Sequence, residues 1–61
     1  MKGDAMMAKI YYNRLLLGTI TFDVIPAKYQ DAVRELAKAD VKKGKLTVAE
    51  YEQLLKEPYE E

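Results

Sequence analysis

The residues that most often carry catalysis are missing from this 61-residue chain. It contains no histidine, no cysteine and no serine. Histidine is the commonest general base and metal ligand, while serine and cysteine are frequent nucleophiles. The carboxylates are concentrated in the C-terminal tail, where a solvated charge cluster is the simplest interpretation. We therefore expect a protein that is not an enzyme and has no catalytic, metal-binding or cofactor-binding residues.

One short pattern occurs twice, as GTIT at residues 18–21 and as GKLT at residues 44–47. Neither copy has the strand, glycine-rich loop and helix of a phosphate-binding motif. Glycine is favoured just after a helix because it tolerates positive φ, and threonine is a good helix N-cap. The pattern therefore predicts helix boundaries with four capping residues: Gly18, Thr21, Gly44 and Thr47.

The last helix has the clearest start signal. Thr47 and Glu50 have the spacing of a capping box, which gives Glu50 a structural task. The apolar residues that follow repeat at helical spacing: Tyr51, Leu54 and Leu55. With Pro58 as the stop, the sequence predicts a helix over about 48–57.

The middle of the chain predicts a second helix over 26–43. Pro26 suits the first helical position, and Lys42 and Lys43 suit a last turn that is followed by Gly44. Apolar residues line one face at helical spacing: Tyr29, Val33, Leu36, Ala37 and Val41.

The N-terminal segment is ambiguous, because residues 10–12 and 20–22 have the composition of hairpin strands. Superposing Gly18 on Gly44, however, aligns four apolar positions with those of the second helix: Met7, Ile10, Tyr11 and Leu15. We therefore predict a helix over about 8–17 with these residues as its core face, and a short turn over 22–25 that Thr21 caps. The expected fold class is all-α, a small three-helix unit, with the hairpin as the alternative.

Residues 1–6 differ from the remainder of the chain. They show little apolar periodicity, and the codons of Lys2, Gly3 and Asp4 can contain a purine-rich ribosome-binding sequence just upstream of Met6 and Met7. We interpret residues 1–6 as a disordered, translated leader and 7–61 as a single helical domain. An ordinary disordered N-terminus is the alternative.

The first helix has more apolar surface than one core face requires. Tyr12, Leu16 and Leu17 are additional to that face, and a helix that is apolar nearly all round is normally buried on more than one side. A chain this short also gains little net stability from its own core, and disulfides are excluded. We therefore predict that these three residues bind a protein partner or a second copy. The alternative is that the other two helices cover them within one monomer.

The charge pattern argues against other partners. The chain has ten basic and ten acidic residues, and its acidic C-terminal helix would repel nucleic acid. The alternative function is a small regulatory protein that binds nucleic acid weakly through the Lys38–Lys45 cluster. The longest apolar run, Leu15–Leu17, is too short to span a membrane. No secretory signal or small-molecule motif is evident, so we expect a cytoplasmic or virion-associated protein.

The sequence also resembles known phage proteins. Residues 8–33 resemble the start of short proteins from phages and prophages of Gram-positive bacteria, which share a Lys-Ile-Tyr opening, a Gly-x-x-Thr turn and a Val/Ile-Pro pair before a helix. The C-terminal half is similar to the XkdX family, whose Gly-x-Ile-Thr-x-x-Glu-Tyr core is matched here at Gly44, Leu46, Thr47, Glu50 and Tyr51. No biochemical activity is attached to that family, and the resemblance implies a phage-derived accessory protein associated with the phage tail.

Overall fold

The protein is a bundle of three helices. The computed structural model describes residues 2–60, with side chains from Met6 onward. The elements in chain order are α1 (Lys2–Leu17), a 3₁₀ turn (Phe22–Val24), α2 (Ala27–Lys43) and α3 (Val48–Leu55). The predicted all-α three-helix unit is confirmed. The hairpin alternative is wrong, because α1 is helical throughout residues 8–17.

Helix α1 begins at Lys2, earlier than the predicted start near Ala8. Gly3 and Asp4 lower helix propensity, but no proline interrupts the segment, so the helix continues through it. Residues 2–6 therefore have a helical backbone. Met1 lies outside the described residues, and the interpretation of residues 1–6 as a translated leader stays a prediction.

Both glycines of the repeated pattern end a helix in the left-handed conformation. The φ angle is +80° at Gly18 and at Gly44. The residue after each glycine donates its N–H to the carbonyl five residues earlier, Thr19 to Arg14 at 3.1 Å and Lys45 to Asp40 at 2.9 Å. These are the long bonds of a Schellman motif. The same local chemistry therefore ends α1 and α2.

The two threonines of the pattern act differently. At the start of α3 the Glu50 N–H donates to Thr47 Oγ1 at 3.1 Å, and the Thr47 N–H donates to Glu50 Oε1 at 2.9 Å. This is the predicted capping box. Thr21 is the N-cap of the 3₁₀ turn, but its hydroxyl donates to the Asp23 carboxylate instead of capping a backbone N–H.

Two further helix ends differ from their predicted positions. Helix α2 begins at Ala27, with Pro26 as its N-cap, whereas the sequence predicts a start at Pro26. Helix α3 ends at Leu55 instead of at Glu57, because Lys56 adopts a left-handed φ of 59° and stops it. Glu57 precedes a proline, and such residues disfavour helical geometry.

The core lies where the three helices and the 3₁₀ turn meet. Its ten buried apolar residues are Ala8, Tyr12, Leu15, Phe22, Ile25, Val33, Ala37, Leu46, Tyr51 and Leu55. The predicted core face of α1 is therefore partly wrong. Leu15 is buried and Tyr11 packs against the core, with its ring 5.4 Å from the Tyr29 ring, but Met7 and Ile10 face solvent. Ala8 and Tyr12 take their places.

Candidate interaction surface

Tyr12 belongs to the core and is not a contact residue for a partner. Its side chain is only 6% exposed, and its hydroxyl donates to Asp40 Oδ2 on α2 at 2.7 Å. Burial, together with this hydrogen bond to a negatively charged carboxylate, raises the pKa of the Tyr12 phenol well above its usual range. The prediction of Tyr12 as surplus surface is therefore wrong, because a tertiary hydrogen bond satisfies its hydroxyl inside the fold.

Leu16 and Leu17 lie on the surface, as predicted. Leu16 is 44% exposed and Leu17 is 77% exposed. Three further large apolar residues of α1 are also exposed: Met6, Met7 and Ile10. At about 100° per residue, Met6, Ile10 and Leu17 fall within a narrow band on the side of the helix opposite Ala8 and Leu15. We call these three residues the outer stripe.

The surroundings of the outer stripe carry positive charge. Lys9 and Arg14 are exposed and flank the stripe on either side. The sequence has no acidic residue between Asp4 and Asp23. The outward surface of α1 is therefore apolar and cationic, a combination that suits an apolar partner surface with acidic residues.

A shallow groove lies between α1 and α2, on the side of α1 away from the outer stripe. Its volume is about 250 Å³, and it is lined by Ala8, Lys9, Ala32, Glu35 and Leu36. Two of these residues are alanines, whose short side chains leave space between the helices. The groove can accept one apolar side chain of a partner. No sequence signal marks this groove, because Ala8 and Ala32 become neighbours only when the helices pack.

A second cavity, of about 320 Å³, lies on the C-terminal side of the molecule. Arg34 crosses it, donating from Nε to Glu57 Oε1 at 2.5 Å and from Nη1 to Asp31 Oδ1 at 2.5 Å. These hydrogen bonds raise the pKa of the guanidinium further above its already high value. Burial and the charge of Glu57 also raise the pKa of the adjacent Tyr51. Of the charged residues that line this cavity, Arg34 and Glu57 form an ion pair with each other.

The lysine cluster is divided between two environments. Lys42, Lys43 and Lys45 are exposed at the end of α2. Lys38 is half-buried and lines the second cavity together with Glu57 and Glu60. Two carboxylates beside Lys38 would oppose a phosphate backbone there. Nucleic-acid binding through residues 38–45 stays a prediction with no added support.

Comparison with known proteins identifies no relative of this chain. Within residues 2–60, no helix combines the length and the apolar character needed to cross a membrane. Protein-family models, curated proteins and solved structures give no match to this chain.

Proposed function

We propose that this protein is a non-catalytic interaction module of prophage origin, which packs on itself or on a partner protein through the outward surface of α1. The observation that carries the proposal is the exposure of the outer stripe. Leu17 is 77% exposed and Met6 is 66% exposed, although both belong to a helix whose opposite side is fully buried. Large exposed apolar residues that share one side of a helix favour an interaction surface.

The fold does not need the outer stripe for its own stability. Ala8, Tyr12 and Leu15 already supply the buried face of α1, at 1%, 6% and 2% exposure. Leaving a leucine in water forgoes about 1.5–3 kcal/mol of burial energy. Association recovers that energy, whereas the isolated monomer does not.

The prophage origin is supported by the sequence resemblance of residues 8–33 and 41–55 to small phage proteins, including the XkdX family. An association with the phage tail is the specific form of this proposal. The genes that flank this one test it directly. Neighbouring tail or holin genes would support the proposal, and neighbouring genes of ordinary metabolism would contradict it.

The interaction surface is tested by photo-crosslinking in the native host. A benzophenone amino acid is placed at Leu17 in the outer stripe and, as a matched control, at Val24 in the 3₁₀ turn, which is 59% exposed. We expect crosslinked adducts from position 17, with this chain or with another protein, and far fewer from position 24. Equal labelling at both positions, or no adduct at position 17, would contradict the proposal.

A further inference from the structure

We infer that the outer stripe binds an acidic amphipathic helix of a different protein, in preference to a second copy of this chain. This inference rests on the proposed function and names the class of partner for the same surface. A helix of this kind has apolar residues along one face and aspartate or glutamate residues beside that face.

The outer stripe has the shape along which a second helix can pack. Met6, Ile10 and Leu17 lie along one side of α1 and span about 16 Å of its length, at about 1.5 Å of rise per residue. Lys9 and Arg14 are exposed on the two flanks of the stripe. An apolar stripe of about three turns between charged flanks is the surface that packed pairs of helices share, and the flanking charges determine the choice of partner.

A second copy offers no matching apolar surface outside its own α1. In the part of the chain that the structure describes, the exposed large apolar residues outside α1 are Val24 and Val48. They belong to different elements, the 3₁₀ turn and the first turn of α3, and two valines do not make a stripe of three turns. A second copy could therefore cover the outer stripe only with its own outer stripe.

Two copies of α1 would bring like charges together. Because Lys9 lies on one flank and Arg14 on the other, a cationic flank meets a cationic flank whether the two helices run parallel or antiparallel. The sequence has no acidic residue between Asp4 and Asp23 to neutralise these charges. Self-association through the outer stripe should therefore be weak and require a high protein concentration.

The carboxylates elsewhere on a second copy are largely engaged within its own fold. The structure describes the side chains of eight acidic residues. Six of them accept a hydrogen bond from the same chain, namely Asp23, Asp31, Asp40, Glu50, Glu52 and Glu57. The other two, Glu35 and Glu60, line the two cavities away from the outer stripe. The negative charge that complements Lys9 and Arg14 is therefore better supplied by a different chain.

The test is photo-crosslinking from position 17 in the native host, with the attached peptide sequenced by mass spectrometry. One labelled chain carries K9E/R14E, which reverses both flanks, and another carries K9Q/R14Q, which only removes their charge. The control, K45E/K56E, changes the net charge as much as K9E/R14E does, at two exposed lysines outside α1. Circular dichroism verifies that the chains are equally helical, and K9Q/R14Q decides the test if K9E/R14E is not.

We expect the attached peptide to belong to a different protein, to carry a net negative charge and to have apolar residues at helical spacing. The yield of this adduct should fall about tenfold in K9E/R14E, because two favourable flanking contacts become repulsive. It should fall less in K9Q/R14Q and stay at the unsubstituted level in the control.

Several outcomes would overturn the inference. An adduct with this chain alone would identify a second copy as the partner. An adduct with a neutral or basic segment, or a yield that neither flank variant lowers, would show that charge does not select the partner. Each of these results leaves the proposed function supported. A chain that gives no adduct from position 17, including one that binds phosphatidylglycerol vesicles instead, would contradict both, so the two failures can be distinguished.

Discussion

Arg34 connects three parts of the chain through one side chain. Its guanidinium contacts Glu57 after α3, Asp31 on α2 and the face of the Phe22 ring, whose centroid is 5.7 Å away. The side chains of Arg34 and Glu57 are 27% and 31% exposed, so water screens this pair less than an open surface pair. The contact with Asp31, which is 90% exposed, contributes little.

Replacing Arg34 with lysine should therefore lower the stability of the fold. Lysine keeps the charge but loses the planar fork that reaches two carboxylates and stacks on the ring. We expect R34K to lose about 1 kcal/mol in the free energy of unfolding, measured by urea titration. The exposed substitution R14K should change it by less than about 0.5 kcal/mol. Equal stability of R34K and wild type would contradict this role.

Tyr12 makes stability depend on pH in the alkaline range. Its pKa is raised in the folded protein above the unfolded value of about 10. The protonated phenol therefore stabilises the fold fully below about pH 10, and this contribution is lost as the pH rises towards the folded pKa. Tyr51, whose pKa is also raised, adds to the same loss.

The variant Y12F separates the two tyrosines. It lacks the hydrogen bond to Asp40, so it should be about 0.5–1.5 kcal/mol less stable at neutral pH. Its stability should also fall less steeply above pH 10 than that of the wild type, because one titrating group has been removed. Urea titrations at a series of alkaline pH values measure both effects. An unchanged alkaline slope would contradict the assignment to Tyr12.

At the scale of the elements, the left-handed glycines determine where helices stop. No atom lies within 4 Å of a Cβ added at Gly44, so strain in the backbone is the only penalty for alanine there. We expect G44A to destabilise the fold by about 1 kcal/mol. A synthetic chain with D-alanine at position 44 should be at least as stable as wild type, because D-residues favour positive φ. Thermal unfolding of both chains measures this, and equal destabilisation would contradict it.

The fold class, the start of α3 and the glycine-terminated ends of α1 and α2 could be predicted because their signals are local. The capping box of Thr47 and Glu50 and the glycine stops act within a few residues of one another. The rotation of α1 could not be predicted in this way. Its apolar residues surround the helix. Helical spacing therefore fits a buried face that includes Ile10 as well as one that includes Tyr12. Which face is buried depends on Asp40, which is distant in sequence and accepts a hydrogen bond from the Tyr12 hydroxyl.

The rotation of α1 also determines which of its residues form the interaction surface. Leu16 and Leu17 were identified because they are additional to any single core face. Met6 and Ile10 carry no such signal, since the sequence places Met6 in a leader and Ile10 on the core face. The early end of α3 was missed for a different reason, because Lys56 has none of the sequence signals of a left-handed residue and adopts that conformation at φ 59°.

At the scale of the molecule, the monomer is already compact. Its radius of gyration is 10.6 Å, close to the value of about 10.5 Å expected for a domain of this length. The exposure of the outer stripe therefore does not result from loose packing. The outer stripe is exposed because the three helices bury their core without it.

Truncation of two leucines of α1 should separate folding from association. Leu15 is 2% exposed, whereas Leu17 is 77% exposed. We expect L15A to lose about 2–5 kcal/mol of stability and L17A to lose less than about 0.5 kcal/mol when both are measured by urea titration in dilute solution. Comparable losses for the two variants would mean that Leu17 supports the monomer instead of a contact.

The central claim, that α1 associates through its outward surface, is tested most directly by nuclear magnetic resonance of the wild-type chain. Amide ¹H–¹⁵N spectra are recorded as the protein is diluted from its highest soluble concentration to the detection limit. We predict that the amide shifts that change on dilution cluster at Met6, Ile10 and Leu17. Changes confined to residues 38–45 would contradict the account, and spectra that do not change on dilution would contradict self-association through this surface.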